Sequence, residues 1–443
     1  MKKILIAIVL LIVISVPAVP FVNGIIMEKT FRGTFEQLNQ LYTASSANIK
    51  FEIMTYDRGL FDSQILWRIK LGNMSEVYGI DDVVFTETAR HGFTAITSET
   101  HLQKNVWYTD WINSKLGGKD PLTIQTRYSA FDPIVSTLSM DAFTAEMPDA
   151  PVTIGRLNLV FTVDTSLTSV SMNGTWDGMS QDNGNKMGPV AMTGDLTRIS
   201  DLIWLGKGGA IVESFTTDSG NEKVVLSNLE FNYDISSEDD HKKMNMAMEM
   251  KTGDIVVNDQ PLSDWGLSIA LNNLDMAAYE EFIRLYYQVV NTQMAKALTP
   301  GIPQEDAVKA MQEVLAQNSP KLVAGIEKLL KKDLEFKISR LNIVLPQGEI
   351  SGRLGLKLKQ DVIMSQMMML AAQPDKALEI FSMKTDVIVP VSLAGPRRTE
   401  LTSPLFAGMK TGLFIQDGNI LKHNAQTRDG KLYLNGKEVL LNF

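Results

Sequence analysis

Histidine and carboxylate side chains are the first candidates for chemistry in this chain, but their spacing does not suit a metal or acid–base site. The histidines are His91, His101, His241 and His423, and none has a partner at ligand spacing on an expected helix. The run Glu238-Asp239-Asp240-His241 brings carboxylates and an imidazole together in the sequence. Because consecutive residues of a strand point in opposite directions, we interpret this run as a solvated turn between two strands. The sequence therefore predicts no metal ligand and no cofactor.

Motifs for nucleophilic catalysis and phosphate binding are also missing from the sequence. Gly117-Gly118-Lys119-Asp120 lacks the Gly-x-x-x-x-Gly-Lys-Ser/Thr frame of a phosphate loop, and no Gly-x-Ser-x-Gly elbow occurs. The chain has no cysteine, which excludes thiol nucleophiles, disulfides and cysteine–zinc sites together. A carboxylate pair that meets only in the folded chain stays open as an acid–base site. On balance the sequence favours a protein that is not an enzyme.

Methionine is the residue type with the more informative spacing. Of 23 methionines, Met244, Met246, Met248 and Met250 alternate along one expected strand, so all of them lie on a single face. Methionine is unbranched and polarisable, and it suits both irregular cores and adaptable apolar binding surfaces. Two interpretations stay open: a sheet face buried under the protein's own helices, or an apolar face that holds an acyl chain or a partner's hydrophobic segment. The second makes these methionines the candidate ligand site.

The N-terminal segment, residues 1–24, has the composition of a membrane-directed segment. Two lysines precede a mostly apolar stretch over residues 4–22, which as a helix is about 28 Å long and matches the hydrocarbon core of a bilayer. A cleaved signal peptide and a retained signal-anchor are both open, but Pro17 and Pro20 make poor surroundings for cleavage. We therefore expect a single-pass anchor in the inner membrane of a bacterium, with the bulk of the chain in the periplasm.

Length, charge and composition narrow the class of protein further. With 443 residues and 44% hydrophobic residues, the chain is long enough to bury large cores. Its net charge of −9 argues against nucleic acid as a partner and against an anionic lipid surface.

Alternating apolar and polar residues predict that strands dominate residues 25–272. The turn Asp57-Arg58-Gly59 joins two such strands into a hairpin, and Lys243 to Val257 reads as one long strand. Before them, Thr34 and Gln37 form a capping-box pattern that predicts the start of a short helix.

A helical insertion is predicted at residues 273–333, and strands with short helices return over residues 334–443. Asn318-Ser319-Pro320 predicts the start of a third helix in the insertion, and residues 375–383 also read as helical. The C-terminus carries hairpin turns at Asp417-Gly418, Asp429-Gly430 and Asn435-Gly436. The sequence thus predicts an α+β fold: an elongated, mostly antiparallel twisted β-sheet with a helical insertion, preceded by one N-terminal membrane-spanning helix. No linker divides the chain, so we expect one continuous sheet.

This organisation resembles a known family. The segments that carry the resemblance are the hairpin Tyr56-Asp57-Arg58-Gly59-Leu60-Phe61-Asp62-Ser63, the strand and turn from Ile343 to Gly348, Gly412-Leu413-Phe414, and the ending from Asp429 to Lys437. Together they look like the YdgA-like envelope proteins of Gram-negative bacteria. The resemblance implies an inner-membrane-anchored periplasmic protein of a family without an assigned function.

The sequence supports two functions that require no enzymatic step. The first is a tethered structural or interaction protein of the periplasm, which uses sheet edges to self-associate as a dimer or to dock a periplasmic partner. The alternative is a lipid-binding or hydrophobic-ligand transfer protein that uses the methionine face. An open face favours the alternative, and a face packed solid by the helices of residues 274–332 favours the first.

Overall fold

The computed structural model describes residues 2–44, 48–72, 75, 80–103, 106–129, 133–146, 150–218, 220, 222–238, 240–297, 304–370, 373, 376–394 and 404–439. Over this part of the chain the fold is α+β and the strands pair antiparallel. The predicted fold class is confirmed at that level.

The helices and strands alternate in long blocks along the chain. The helices are α1 (Lys2–Ala44), α2 (Val106–Lys115), α3 (Met276–Ala297), α4 (Gln304–Leu329), α5 (Met364–Met369), α6 (Ala377–Ile380) and α7 (Pro404–Lys410), with a 3-10 turn at Val391–Ala394. The strands of the first half are β1 (Lys50–Arg58), β2 (Asp62–Lys70), β3 (Asp82–His91), β4 (Ile96–Leu102), β5 (Leu122–Tyr128), β6 (Ile134–Met140), β7 (Phe143–Ala145), β8 (Val152–Ile154), β9 (Leu157–Val163), β10 (Ser169–Trp176), β11 (Met179–Gln181), β12 (Lys186–Met187) and β13 (Val190–Arg198). Those of the second half are β14 (Trp204–Asp218), β15 (Lys223–Ser237), β16 (Lys243–Val257), β17 (Gln260–Asp275), β18 (Glu335–Leu345), β19 (Gly348–Leu358), β20 (Phe381–Pro390), β21 (Ile415–Asp417), β22 (Ile420–Arg428), β23 (Lys431–Leu434) and β24 (Lys437–Val439).

The chain forms two compact units. Unit 1 comprises Met1–Met179, Ala191–Trp204 and Ile283–Ser319, and unit 2 comprises Ser180–Val190, Leu205–Phe282 and Pro320–Phe443. The expected segment boundary after residue 24 falls inside α1.

Unit 1 is organised around a sheet that α1 covers on one face. Its strands pair antiparallel in the order β1-β2-β3-β4-β5-β6-β9-β10. Met27, Phe31 and Phe35 of α1 pack into a core with Ile65, Ala89 and Ile96 of the sheet. Full burial of a phenylalanine or methionine side chain stabilises a fold by about 1.5–3 kcal/mol, so this contact holds the helix on the sheet.

The strands of unit 2 form long antiparallel hairpins. The order β14-β15-β16-β17-β18-β19-β20-β22-β23-β24 is antiparallel throughout. The β16–β17 turn places Asn258 and Asp259 at positive φ (48° and 63°), as a two-residue hairpin turn of type I′ requires. The strand predicted from Lys243 to Val257 and the predicted C-terminal hairpins are confirmed.

Several helix predictions are wrong. Thr34 and Gln37 do not start a helix, because α1 is already helical and continues through them. Pro320 lies inside α4, where the Asn318 side chain donates to the Val314 carbonyl four residues back (2.9 Å) rather than capping a new helix.

The predicted helix over residues 375–383 is also largely wrong. Residue 375 is outside the described residues, and of the described part of this range only Ala377–Ile380 is α-helical, since Phe381 begins β20. Within the described residues, no helix combines the length and the apolar content needed to cross a membrane.

Candidate apolar binding face

The candidate methionines lie on β16, a central strand of the unit 2 sheet. Because opposite residues of antiparallel strands share a face, the pairing of β16 identifies their neighbours. On the β15 side, Met250, Met248 and Met246 are opposite Phe231, Tyr233 and Ile235, and on the β17 side they are opposite Leu267, Ile269 and Leu271. The methionines are thus flanked on both sides by large apolar residues.

The same apolar rows continue into β18 and β19. Leu267 is opposite Leu341. Ile269 is opposite Ile338, which is opposite Leu354 on β19. Leu271 is opposite Phe336, which is opposite Leu356 on β19. We name this surface the apolar face. It consists of Phe231, Tyr233, Ile235, Met246, Met248, Met250, Leu267, Ile269, Leu271, Phe336, Ile338, Leu341, Leu354 and Leu356.

Every residue of the apolar face is at least partly accessible to solvent. Phe231, Phe336 and Leu341 are 37%, 37% and 41% exposed, and Met246, Met248 and Met250 are half-buried. Exposed apolar residues scattered singly are ordinary, but a contiguous patch on this scale is typical of an interaction surface.

Met244 differs from the other candidate methionines, since it is only 1% exposed. It lies opposite Leu274, which is also 1% exposed, at the end of β17. At this same end of the sheet, Leu358 and Ile380 form a buried core cluster. Met244 therefore belongs to the core of unit 2, whereas Met246, Met248 and Met250 lie on the apolar face.

The opposite face of these strands is polar and charged. Lys251 forms an ion pair with Glu230 (2.8 Å), and the bond raises the pKa of the lysine. Glu249 is opposite Ser268, and Ser268 is opposite Arg340. The alternation that makes one face of the sheet apolar thus makes the other face polar and suited to contact with solvent.

A cluster of buried polar residues in unit 1 was not anticipated from the sequence. Beneath α1, Ser63, Glu87 and His91 are 1%, 2% and 5% exposed. Ser63 Oγ lies 2.9 Å from His91 Nε2, and the Tyr128 hydroxyl donates to Glu87 Oε1 at 3.0 Å. Only the register of β2, β3 and β5 brings these residues together, and no spacing in the sequence signals it.

Burial controls the protonation of this cluster. It raises the pKa of Glu87, despite hydrogen bonds from neighbouring hydroxyl groups that favour the carboxylate. It lowers the pKa of His91 and raises that of Tyr128 well above its usual range, where the Glu87 carboxylate adds to the effect. Uncharged forms are favoured throughout.

The Ser63–His91 pair is not arranged for nucleophilic catalysis. Within the described residues, His91 Nδ1 has no hydrogen-bond partner, so no carboxylate orients the imidazole as a catalytic triad requires. On the helix side the ring touches Gly24 of α1, where an added Cβ would lie 2.3 Å from His91 Cε1. The cluster is closed to substrate and positions α1 instead.

The remaining sequence candidates lie in turns. His241 is at positive φ (52°), its Nδ1 lies 2.6 Å from Ser237 Oγ, and Asp240 forms an ion pair with Lys242; Asp239 is outside the described residues. The interpretation of residues 238–241 as a turn is confirmed. Over the described ranges, no group of three or more histidine or acidic residues is placed to hold a metal ion.

This chain is similar to one bacterial protein family and to a protein of Escherichia coli. The family described as "Bacterial protein of unknown function (DUF945)" matches residues 1–442. Protein YdgA from Escherichia coli (strain K12) is 22% identical over 392 residues, which cover 81% of this chain and 74% of that protein. Among solved structures, the crystal structure of a BenF-like porin from Pseudomonas fluorescens Pf-5 covers 85% of this chain and 88% of its own, with 8% identity and a TM-score of 0.15.

Proposed function

Since this chain belongs to the bacterial family of unknown function described as DUF945, we propose a function from its own surfaces: a tethered envelope protein that performs no enzymatic step and holds a lipid acyl chain on the apolar face. The tether is the apolar stretch over residues 4–22, with its two preceding lysines. These features support a location at the inner membrane, with the folded units in the periplasm.

The observation that carries the proposal is the exposure of the apolar face. Phe231, Phe336 and Leu341 expose more than a third of their surface, on the side of the sheet that lacks the charges of the opposite side. With neighbouring strands about 4.8 Å apart, the five strands β15 to β19 span about 19 Å. That width accommodates an extended acyl chain, and methionine at its centre adapts to chains of different shape.

Docking of a protein partner or a second copy on a sheet edge is the second candidate function. Among the described residues, β1 pairs with β2 alone, so its other edge is free of strands. The Asn39 side chain of α1 occupies part of that edge, since its Nδ2 donates to the Phe51 carbonyl (2.9 Å) and its Oδ1 accepts from the Phe51 N–H (2.7 Å). Natural proteins block edges in this way against unwanted pairing. We therefore favour acyl-chain binding on the apolar face over docking at this edge.

Site-specific photo-crosslinking of the full chain in bacterial cells tests the acyl-chain proposal. The photoreactive residue p-benzoylphenylalanine replaces Met248 on the apolar face, and in a matched control it replaces Ala247, the exposed next residue of the same strand on the other face. We expect adducts with the mass of a membrane lipid at position 248 and none at position 247. Protein adducts at position 248 would make the apolar face a docking surface for a protein, and would overturn the acyl-chain proposal. Equal lipid capture at both positions, or no adduct at either, would overturn the proposal.

A further inference from the structure

A groove on unit 1 has a chemical character unlike that of the apolar face. It lies on the side of the sheet opposite α1 and has a volume of about 620 Å³, which is in the range of sites for small ligands. Six polar residues that line it are Thr88, Arg90, Thr97, Gln125, Arg127 and Thr137. They come from β3, β4, β5 and β6, so a continuous stretch of sheet forms the floor.

Two arginines flank the centre of this groove. Arg90 is opposite Thr97, and Thr97 is opposite Arg127, so all three residues lie in one cross-strand row. Two strand spacings separate the Cα atoms of the arginines, which is about 10 Å. Their neighbours in the chain, Ala89 and Thr126, are buried on the α1 side, and both arginines are exposed on the other side. Arginine side chains are long enough to bridge this separation, and both line the same groove.

Neither guanidinium forms an ion pair with a carboxylate of the described residues. In the described part of the chain, Arg90 and Arg127 take part in no ion pair or hydrogen bond of their side chains, although the protein has 51 acidic and 42 basic residues. The acidic residue that lines the groove, Glu99, faces His101 at 3.1 Å. Asp62, opposite Arg90 on β2, forms no ion pair with it either.

We propose that this groove binds an oxyanion, the phosphate or carboxylate group of a small ligand or of a lipid headgroup. The planar guanidinium of arginine presents paired N–H donors that match the oxygens of phosphate and carboxylate. Arg90 and Arg127 approach one anion from two sides, and the Thr88, Thr97 and Thr137 hydroxyls offer further donors at the groove floor. The site is independent of the acyl-chain proposal, because all of its residues lie in unit 1.

Binding of defined probes to the detergent-solubilised full chain tests this site. The probes are inorganic phosphate, dihexanoyl phosphatidylglycerol and dihexanoyl phosphatidylcholine, and ³¹P NMR line broadening at constant ionic strength gives the affinity. The variant Arg90→Gln/Arg127→Gln is compared with Arg156→Gln/Arg198→Gln, which removes the same charge from unit 1 outside the groove. We expect wild type and control to bind alike, and the groove variant to bind at least ten-fold more weakly.

The probes distinguish the two sources of the anion. Arginine-dependent binding of inorganic phosphate supports a free oxyanion as ligand. Arginine-dependent binding of phosphatidylglycerol without binding of phosphate supports a lipid headgroup. Binding that is equal in all three proteins, or no binding of any probe by the wild type, would overturn the proposal.

Discussion

In both units the side chains alternate between the two faces of the sheet. In unit 1 one of these faces is covered by α1, whereas in unit 2 the apolar face stays accessible to solvent. In unit 1, Phe31 of α1 is 5% exposed over a face that also contains the buried Glu87 and His91. In unit 2, Phe231 and Phe336 are both 37% exposed on a face whose rows are apolar. The covered face is thus the more polar of the two, and the exposed face is the more apolar.

This difference corresponds to two roles. The covered face of unit 1 fixes the position of one helix, and the accessible face of unit 2 is where we propose that a ligand binds. A helix packed on aromatic residues alone could slide along the sheet, whereas a buried polar group is costly unless it meets its partner. Asn23 of α1 donates to the Gly92 carbonyl at 2.7 Å, and Gly24 fits against His91, so polar contacts and shape fix the position of α1. Among the described residues, the apolar face of unit 2 has no comparable polar contacts. A surface of this kind suits ligands that vary in length and shape.

The largest effect is expected when the same residue type is truncated on each face. Phe31→Ala removes a buried aromatic ring from the unit 1 core, and such changes cost about 3–5 kcal/mol. Phe231→Ala removes an exposed ring from the apolar face and should cost less than about 1 kcal/mol. Hydrogen-exchange mass spectrometry of the full chain measures the opening free energy of β2 and β3 for the first variant, and of β15 and β16 for the second. Equal losses in the two regions would mean that the apolar face is covered in the protein after all.

The sequence was sufficient for elements whose signals are local. The hairpin around Asp57-Arg58-Gly59 and the strand from Lys243 to Val257 were predicted because period-two alternation and turn residues lie within a few positions of each other. The shared face of Met244, Met246, Met248 and Met250 follows from the same alternation. Which of them are covered does not follow, because alternation does not show what packs over a face, and of the four only Met244 is buried.

Other features depend on long-range packing, which local signals do not report. Strand β14 contains Gly208 and Gly209, which resemble a loop, yet an added Cβ at Gly209 would lie 2.5 Å from the Phe231 carbonyl oxygen, so glycine is needed for close pairing with β15. The capping pattern at Thr34 was misleading, because the contact of α1 with the sheet extends the helix through it. The cluster of Ser63, Glu87 and His91 exists only through strand register.

A smaller effect is expected at the contact between α1 and the polar cluster. Gly24→Ala places a Cβ 2.3 Å from His91 Cε1, and the forced shift should cost about 1–3 kcal/mol. Gly33→Ala is the matched control on the same helix, since an added Cβ there meets nothing within 4 Å. It should stabilise α1 by about 0.5–1 kcal/mol, because alanine is the better helix former. Hydrogen exchange in α1 and β3 measures both, and a neutral Gly24→Ala would show that α1 does not rest on His91.

The smallest effect concerns the pH dependence of the covered face. Burial raises the pKa of Glu87 above its usual 4.5. Below pH 4.5 the carboxyl is protonated in both the folded and the unfolded chain. As the pH rises from there through the folded pKa, the unfolded chain releases its proton first, so the free energy of unfolding of unit 1 falls. His91, whose pKa burial lowers, acts in the opposite direction below its usual value, so the effect must be measured as a difference between variants.

The variant Glu87→Gln isolates this contribution, because glutamine is neutral at every pH and still accepts a hydrogen bond from Tyr128. Measured from pH 5 to pH 8, the difference between its opening free energy in β3 and that of the wild type should grow until the pH passes the folded pKa of Glu87 and then level off. In the control Glu52→Gln the difference from wild type should stay constant over this range, because ion-pair contacts with Lys50, Arg68 and Lys70 lower the pKa of that half-buried carboxyl to about 2. A constant difference for Glu87→Gln as well would mean that water reaches Glu87. Unit 1 would then have no closed face, because α1 would not exclude solvent from the residues that fix its position. The contrast with the accessible face of unit 2 would be lost.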